Sequence, residues 1–427
     1  MKPSTGPILY RARFVLPICS APIENGALLV DDGHILDVNT FDDLFVAHPD
    51  AAIVDFGEAV LLPPMVNAHT HLELSSFSTW AAAAGEPVAP QDFVDWILWL
   101  VRVRRSLSND QLRDSLVSGL NACLLAGTGA VGDIFTTLST APAYRKSPLR
   151  GRIFAEVLGH DPVVVKERLT AISDILLKNS RSTLDWGLSP HAPYTLSAEV
   201  LDKVFAYAEW LSLQCTMHLA ESTEETRFLH DGSGAIAEKL YASAKWDPTA
   251  SQPPGCSPVA ALCRQGRLRQ GDLVVHGVQV DVDDIDLLKQ SGCSVALCPR
   301  SNATLNVGKA PVAAYLKAGI PLALGTDSLA SSQSLSIWDE MAFAIDWFPD
   351  EAQPCDWLEI ATLGGAKALG LQERMGEFSP GLEASFQVVT LPEMPALDVL
   401  EETLCTAGQD IKVTYLYLAA ENVLPRD

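Results

Sequence analysis

The stretch VLLPPMVNAHTH at residues 60–71 decides the fold. It is a short apolar run that ends in two histidines, and side chains two apart in a strand share a face, so His69 and His71 point the same way. Seven similar runs follow, each separated from the next by a segment with helical spacing. They are GTGAVGDIF, GRIFAEVLG, DWGLSPHAPY, LQCTMHLAE, DLVVHGVQV, CSVALCPRS and IPLALGTDS. Eight strands that alternate with helices favour an α/β fold of the closed (β/α)8 type, a TIM barrel, over an open doubly wound sheet.

Both ends of the chain have a different pattern. Residues 8–56 read as short strands joined by turns, with Asp32-Gly33 as a hairpin turn, and strand-like runs return in EFSPGLEASFQVVTL and IKVTYLYLAAENV. The sequence therefore predicts two domains. Residues 1–57 and 376–427 form a small β-sandwich domain, and residues 58–375 form the barrel.

The charge of the chain limits its partners. With 53 acidic and 30 basic residues, the 427-residue chain has a formal charge of −23. A polyanion such as nucleic acid, or an acidic membrane, is repelled on average, so the expected partner is a small-molecule substrate. The chain could also form a homo-oligomer.

The cysteines and the apolar segments indicate a compartment. Nine cysteines are scattered without CxxC spacing, which favours free thiols in a reducing environment over disulfides. The N-terminus lacks the continuous apolar region of a signal peptide, and no stretch is long enough to span a bilayer. We therefore expect a cytoplasmic protein.

Chemically active side chains recur at the ends of the predicted strands. His218 and Glu221 lie in or directly after the fifth strand, His276 ends the sixth, and Asp327 follows the eighth. Each has an ordinary structural alternative, such as a satisfied core histidine or a helix cap. A carboxylate at the end of a buried strand is costly unless it is paired or bound to metal, however, and barrel enzymes carry their active sites at this face.

The donor atoms of this set indicate the metal. Three histidines and one aspartate form a nitrogen and oxygen set that suits Zn²⁺, although Fe²⁺ or Mn²⁺ would also accept it. The sequence therefore predicts a divalent metal site at the mouth of the barrel.

Seven motifs in a fixed order resemble the amidohydrolase superfamily, in its cytosine deaminase and chlorohydrolase-like branch. They are NAHTHLE, SPHAPYT, MHLAES, VVHGV, CPRSN, LGTDS and ATLGGAKALG. The resemblance implies that Glu221, His276 and Asp327 handle protons, and that the metal ligands are His69, His71, His218 and Asp327. The chain departs from the pattern at Pro64, where the family usually has glycine, and at Ser385-Phe386-Gln387, which replaces Ala-Asp-Leu.

The absence of lysine from two strands predicts the number of metal ions. Binuclear members of the family use a carboxylated lysine or an equivalent acid at the end of the third or fourth strand, and neither strand here contains lysine. Glu156 is the one acid there that could bridge two ions. We expect one zinc ion per chain.

Three features of the sequence predict which residues contact the substrate. Glu73 continues the alternation of His69 and His71 and is predicted to contact ribose hydroxyls, with a salt bridge at the rim as the alternative. The resemblance implies that His191 touches the substrate ring, unless it is structural. Aromatic and basic residues at 76–105 either pack as helix core or form a lid that holds a planar, anionic ligand; they are Phe77, Trp80, Phe93, Trp96, Trp99, Arg102, Arg104 and Arg105.

Within the family, HTHLELS followed by FVDW resembles the aminodeoxyfutalosine deaminases of menaquinone biosynthesis, and next the S-adenosylhomocysteine and adenosine deaminases. The predicted activity is hydrolytic deamination of an aminopurine nucleoside. Four alternatives stay open. The enzyme could deaminate a triazine, guanine or cytosine, release chloride from a chlorinated ring by hydrolysis, or hydrolyse a cyclic amide. The chain could also be a binding protein without activity.

Overall fold

A computed structural model describes residues 6–178, 183–247 and 253–424. Within these ranges the strands, numbered along the chain, are β1 (Ile8–Arg11), β2 (Phe14–Val15), β3 (Ile23–Glu24), β4 (Gly26–Asp31), β5 (His34–Thr40), β6 (Ala52–Asp55), β7 (Val60–Leu62), β8 (Met65–Thr70), β9 (Thr128–Phe135), β10 (Arg150–Val157), β11 (Asp185–Pro190), β12 (Gln214–Leu219), β13 (Leu273–His276), β14 (Ser294–Leu297), β15 (Leu322–Leu324), β16 (Phe386–Thr390), β17 (Lys412–Leu418) and β18 (Glu421–Asn422).

The α-helices are α1 (Phe41–Ala47), α2 (Phe77–Ala83), α3 (Phe93–Arg105), α4 (Asn109–Leu125), α5 (Pro162–Lys178), α6 (Ala198–Trp210), α7 (Thr223–Asp231), α8 (Ala242–Ala244), α9 (Pro258–Cys263), α10 (Val282–Ser291), α11 (Pro299–Thr304), α12 (Val312–Ala318), α13 (Ile337–Trp347), α14 (Pro354–Glu359), α15 (Gly365–Ala368) and α16 (Leu400–Ala407). Short 3₁₀ or π segments are Leu72–Leu74, Leu138–Lys146, Pro193–Thr195, Ile236–Tyr241, Ile360–Gly364, Leu397–Val399 and Gly408–Asp410.

Strands β8 to β15 form the barrel. They lie in chain order in one sheet, and every neighbouring pair is parallel. A parallel bridge between Thr70 and Asp327 joins the first strand to the chain that follows the last, which closes the sheet. All eight predicted strands are present, and the predicted (β/α)8 barrel is confirmed.

The barrel strands are apolar because both of their faces are covered. All eight residues of β9 are buried, as expected for a parallel strand with side chains inside and helices outside. Close packing of neighbouring strands also needs glycine at one point. Gly151 in β10 has φ 118°, and a Cβ atom there would lie 2.0 Å from the Val131 carbonyl oxygen.

Both chain ends build the predicted β-sandwich. One sheet has the order β18-β17-β16-β7-β2-β3 and so combines strands from the two ends, and a second has the order β5-β4-β1-β6. Tyr10, Leu28 and Phe386 belong to the apolar core that these sheets share. The predicted turn between β4 and β5 is present, with positive φ at Asp32 (45°) and Gly33 (77°). The exact domain boundaries stay a prediction.

All nine cysteines are free. Across the described ranges, no helix combines the length and apolarity that crossing a membrane requires.

Candidate active site

The residues predicted to bind metal lie at the C-terminal end of the barrel. His69 is in β8, and His71 directly follows that strand. His218 is near the end of β12, His276 is the last residue of β13, and Asp327 lies three residues after β15. Because all barrel strands are parallel, these strand ends meet at one rim.

Four side chains share one small volume there. The ring nitrogens that His69, His71 and His218 offer all lie within 4.8 Å of one another. Oδ1 of Asp327 is 3.6 Å from Nε2 of His69 and 3.5 Å from Nε2 of His71. One ion could therefore be reached by three imidazoles and one carboxylate. Glu156 is outside this group and lies beside His191 instead.

The protonation pattern of the histidines fits a divalent metal. Both ring nitrogens of His69 are buried and have no hydrogen-bond partner within the described residues, which is costly unless something else binds them. Burial lowers the pKa of His69 to about 4 and that of His71 to about 3, so both are neutral imidazoles. Nδ1 of His218 donates to the His191 carbonyl at 3.0 Å, which leaves its Nε2 lone pair free.

Asp327 is held as a carboxylate. Its Oδ2 is contacted by the hydroxyls of Ser301 at 2.6 Å and Ser331 at 3.0 Å, which turns Oδ1 toward the histidines. Burial alone would raise the pKa of Asp327, but His69 and His71 hold it well below its ordinary value. The backbone at Asp327 has φ 55°, a costly conformation for a residue other than glycine.

A second pair of groups lies next to the metal ligands. Nε2 of His276 is 3.5 Å from Oε1 of Glu221. Burial raises the pKa of Glu221 well above its ordinary value, and Asp327 and Glu225 raise it further, so this carboxyl group holds a proton. Nδ1 of His276 lies 2.9 Å from Oδ1 of Asn302, which accepts its hydrogen and leaves Nε2 as an acceptor. The arrangement joins a proton donor, Glu221, to a neutral imidazole.

These groups open into a cavity of about 440 Å³, a size that suits a small molecule. Most of its wall is apolar, and the apolar lining residues include Leu74, Phe93, Trp96, Ile97, Leu100 and Leu158. Its polar lining residues include Glu73, Arg104, Arg105, Thr136, Glu156 and His191.

Helix α3 forms one side of the cavity, as the sequence suggested for residues 76–105. Phe93, Trp96, Arg104 and Arg105 line it, whereas Trp99 packs against Phe77. Arg102 instead binds Glu86 at 2.8 Å on the exposed side of the helix. The segment thus contributes both cavity wall and helix core.

A hydrogen bond and an ion pair hold helix α3 over the barrel. Nε1 of Trp96 donates to the Ala330 carbonyl at 3.3 Å, and Nζ of Lys239 lies 2.8 Å from Oδ2 of Asp95. Whether α3 moves as a lid stays a prediction.

Glu73 and His191 both line the cavity, and neighbouring polar groups hold each of them in place. The Glu73 carboxylate is 3.5 Å from Nη2 of Arg104, so the rim salt bridge considered from the sequence is present. Nδ1 of His191 lies 3.1 Å from the Thr195 hydroxyl, and its Nε2 is 4.0 Å from Oε1 of Glu156.

Several supporting residues escaped the sequence-based reasoning. Asn302 and Ser301 fix His276 and Asp327, respectively, and Glu225 accepts the backbone N–H of Glu221 at 2.9 Å. The sequence signal for two of them was the motif CPRSN, which contains Ser301 and Asn302 and directly follows the seventh barrel strand. Because that position lies at the rim of the barrel, a supporting role for both residues could have been predicted.

Comparisons of the sequence extend this description. The model of the amidohydrolase family matches residues 60–418. The aminodeoxyfutalosine deaminase of Deinococcus radiodurans is 32% identical over 338 residues, which cover 77% of this chain and 78% of that protein. The 5-methylthioadenosine/S-adenosylhomocysteine deaminase of Nitratidesulfovibrio vulgaris is 30% identical over 383 residues, covering 86% and 80%.

A solved structure shares the fold. The adenosine deaminase from Xanthomonas campestris, crystallised with bound zinc, superposes with a TM-score of 0.79 at 24% identity. The match covers 98% of this chain and 92% of that one.

Proposed function

Because the chain belongs to the amidohydrolase family, we propose that it is a mononuclear zinc enzyme that hydrolytically deaminates an aminopurine nucleoside. The observation that carries the proposal is the meeting of three histidines, Asp327 and the Glu221–His276 pair at the floor of one cavity. The names of two relatives, both nucleoside deaminases, support the reaction class.

The proposed metal ligands are His69, His71, His218 and Asp327. Zinc is favoured by this donor set and by the zinc in the Xanthomonas campestris structure, while Fe²⁺ or Mn²⁺ would also be accepted. A divalent ion bound by these residues would lower the pKa of a water molecule to about 7, and would so supply a nucleophile near neutral pH.

The remaining steps belong to side chains of this chain. Asp327, an ionised carboxylate, takes the first proton from the attacking water. His276, fixed by Asn302, orients the nucleophile through its Nε2 atom. Glu221 donates its proton to the ring nitrogen or the departing amine, and Asp327 passes the proton it took from water to the other of these two groups. The second proton of the water returns to Glu221, which restores both side chains. The overall reaction replaces an amino group on the ring by oxygen and releases ammonia.

The proposed substrate is aminodeoxyfutalosine, with S-adenosylhomocysteine and adenosine as the next choices. The apolar and aromatic wall suits a purine ring, His191 is proposed to touch that ring, and Arg104 and Arg105 suit an acidic extension. A role in menaquinone biosynthesis follows from this choice.

A substrate panel tests the proposal. Zinc-loaded protein is incubated with aminodeoxyfutalosine, S-adenosylhomocysteine, adenosine, guanine, cytosine and a chlorotriazine, and released ammonia or chloride is measured. Faster turnover of the nucleosides supports the proposal. Faster turnover of guanine, cytosine or the triazine would reject the nucleoside as substrate, and activity on cyclic amides alone would reject deamination.

Further parts of the proposal concern the whole protein. We propose a cytoplasmic location, which nine free cysteines support, and a division into the barrel and the terminal β-sandwich at the predicted boundaries.

A further inference from the structure

The carboxylate of Glu73 has little capacity left for a ligand. The backbone N–H groups of Thr136 and Thr137 donate to it at 3.3 and 3.1 Å, and the Thr140 hydroxyl lies 2.9 Å from Oε1. Arg104 approaches Oε2 at 3.5 Å. A carboxylate accepts about four hydrogen bonds, so these four donors nearly fill Glu73.

Glu156 also lines the cavity, and its carboxylate has fewer hydrogen-bond partners than that of Glu73. It is only 6% exposed, and the Thr136 hydroxyl donates to its Oε2 at 2.8 Å. Its Oε1 has no hydrogen-bond donor within the described ranges; the nearest polar group is Nε2 of His191, 4.0 Å away. Burial would raise the pKa of Glu156, but His191, His71 and Arg104 together lower it, so an ionised acceptor faces the cavity.

The imidazole of His191 lies beside Glu156. Its Nδ1 is 3.1 Å from the Thr195 hydroxyl, which is itself 3.0 Å from the Ala192 carbonyl. These contacts hold the ring with Nε2 toward Oε1 of Glu156.

Oε1 of Glu156 and Nε2 of His191 thus face each other without a hydrogen bond between them. At 4.0 Å, Oε1 of Glu156 and Nε2 of His191 are too far apart for a hydrogen bond but close enough for adjacent hydroxyl groups to reach both. They lie at the ends of neighbouring strands, β10 and β11, whereas Glu221 follows β12 and His276 ends β13. This side of the cavity is suited to recognition, and the other side to proton transfer.

We propose that Glu156, assisted by His191, accepts the hydrogen bonds of the ribose hydroxyls of the substrate, and that Glu73 instead holds the chain after β9 in place. This inference rests on the proposed function, because it takes the substrate to be a nucleoside. The sequence assigned the sugar contact to Glu73. The inference assigns it to Glu156, which has a free carboxylate oxygen.

The experiment compares substrates with and without the hydroxyls. Adenosine and 2′,3′-dideoxyadenosine are assayed with the wild-type zinc enzyme, with Glu156→Gln and with Glu73→Gln. Glu156→Gln should lower kcat/KM for adenosine roughly 10- to 150-fold, the range for a hydrogen bond to a charged group, and change the dideoxynucleoside little. Glu73→Gln should lower both by the same factor.

A binding measurement gives a readout independent of turnover. Calorimetry with the products inosine and 2′,3′-dideoxyinosine should show the same selective weakening in Glu156→Gln. If Glu156→Gln does not fold, Thr136→Val removes the hydroxyl that holds Oε2, and a selective loss of about 2- to 10-fold is expected.

The outcomes separate the inference from the proposed function. If the wild type deaminates adenosine but Glu156→Gln affects both nucleosides equally, or Glu73→Gln is the selective variant, the inference is wrong and the proposed function stands. If the wild-type zinc enzyme deaminates no nucleoside, both are wrong.

Discussion

The side chain of Asn302 fixes the tautomer of His276, because its Oδ1 accepts from Nδ1 at 2.9 Å. The other ring nitrogen, Nε2, is then an acceptor that faces Glu221 at 3.5 Å. His276 itself has φ 74°, so the imidazole is aimed both by its backbone and by its neighbour.

The first prediction concerns this contact. Asn302→Leu should lower kcat about 10- to 100-fold, the usual effect of losing a partner that orients a functional histidine. KM should change less, because Asn302 does not line the cavity. Asn302→Asp keeps an acceptor and should recover much of the rate; equal losses in the two variants would contradict the tautomer argument.

The second prediction concerns Glu221. Glu221→Gln should retain the metal and lose about 10²- to 10⁴-fold in kcat, since an amide cannot pass a proton. Metal content and turnover are measured on the same preparation. Glu224→Gln, a neighbouring acid that does not line the cavity, serves as the matched control and should keep most of the activity. A small loss in Glu221→Gln would remove this residue from the proton-transfer role.

The third prediction concerns metal content. Elemental analysis should find one divalent ion per chain, and His218→Ala should lose metal and activity together, because it removes one of three clustered imidazoles. His34→Ala, an exposed histidine in the β-sandwich, is the control and should bind metal normally. Two ions per active chain would contradict a mononuclear site and would make Glu156 a candidate bridging ligand.

The fourth prediction concerns metal removal. A ligand that binds only the folded state stabilises it by about 2.7 kcal/mol at a hundred times its Kd, so chelation should lower Tm, and added zinc should restore it. The expectation follows from the buried, unpartnered nitrogens of His69. Differential scanning fluorimetry with and without chelator measures the shift. An unchanged Tm in protein shown to have lost its metal would speak against this site.

The fifth prediction concerns the acidic end of the substrate. Arg105 lines the cavity and has no ion-pair partner within the described ranges, so it is available for a carboxylate. Arg105→Gln should lower kcat/KM for aminodeoxyfutalosine roughly 10- to 150-fold and leave adenosine nearly unchanged. Arg113→Gln, in which the lost guanidinium binds only Asp110 and Asp114, is the control. Equal effects on both nucleosides would reject the contact.

The sequence by itself determined the fold, and it predicted which side chains meet at the rim of the barrel. Apolar runs marked all eight barrel strands, and the motifs around His69, His218 and Asp327 identified the family, which the family match confirms. These features are local: strand periodicity and a histidine at a strand end can be read within ten residues. Parallel strands then bring their ends together regardless of side-chain detail.

Only the tertiary structure decided which hydrogen-bond partners the acids and histidines have. Three of the donors that surround Glu73 come from residues 63 to 67 positions further along the chain, and Arg104 is 31 positions away. Asn302 reaches His276 across 26 residues. Hydrogen-bond capacity depends on such distant partners and on burial, neither of which has a local sequence pattern. For that reason the sequence identified Glu73 as an inward-facing acid, while the structure shows that the free oxygen belongs to Glu156.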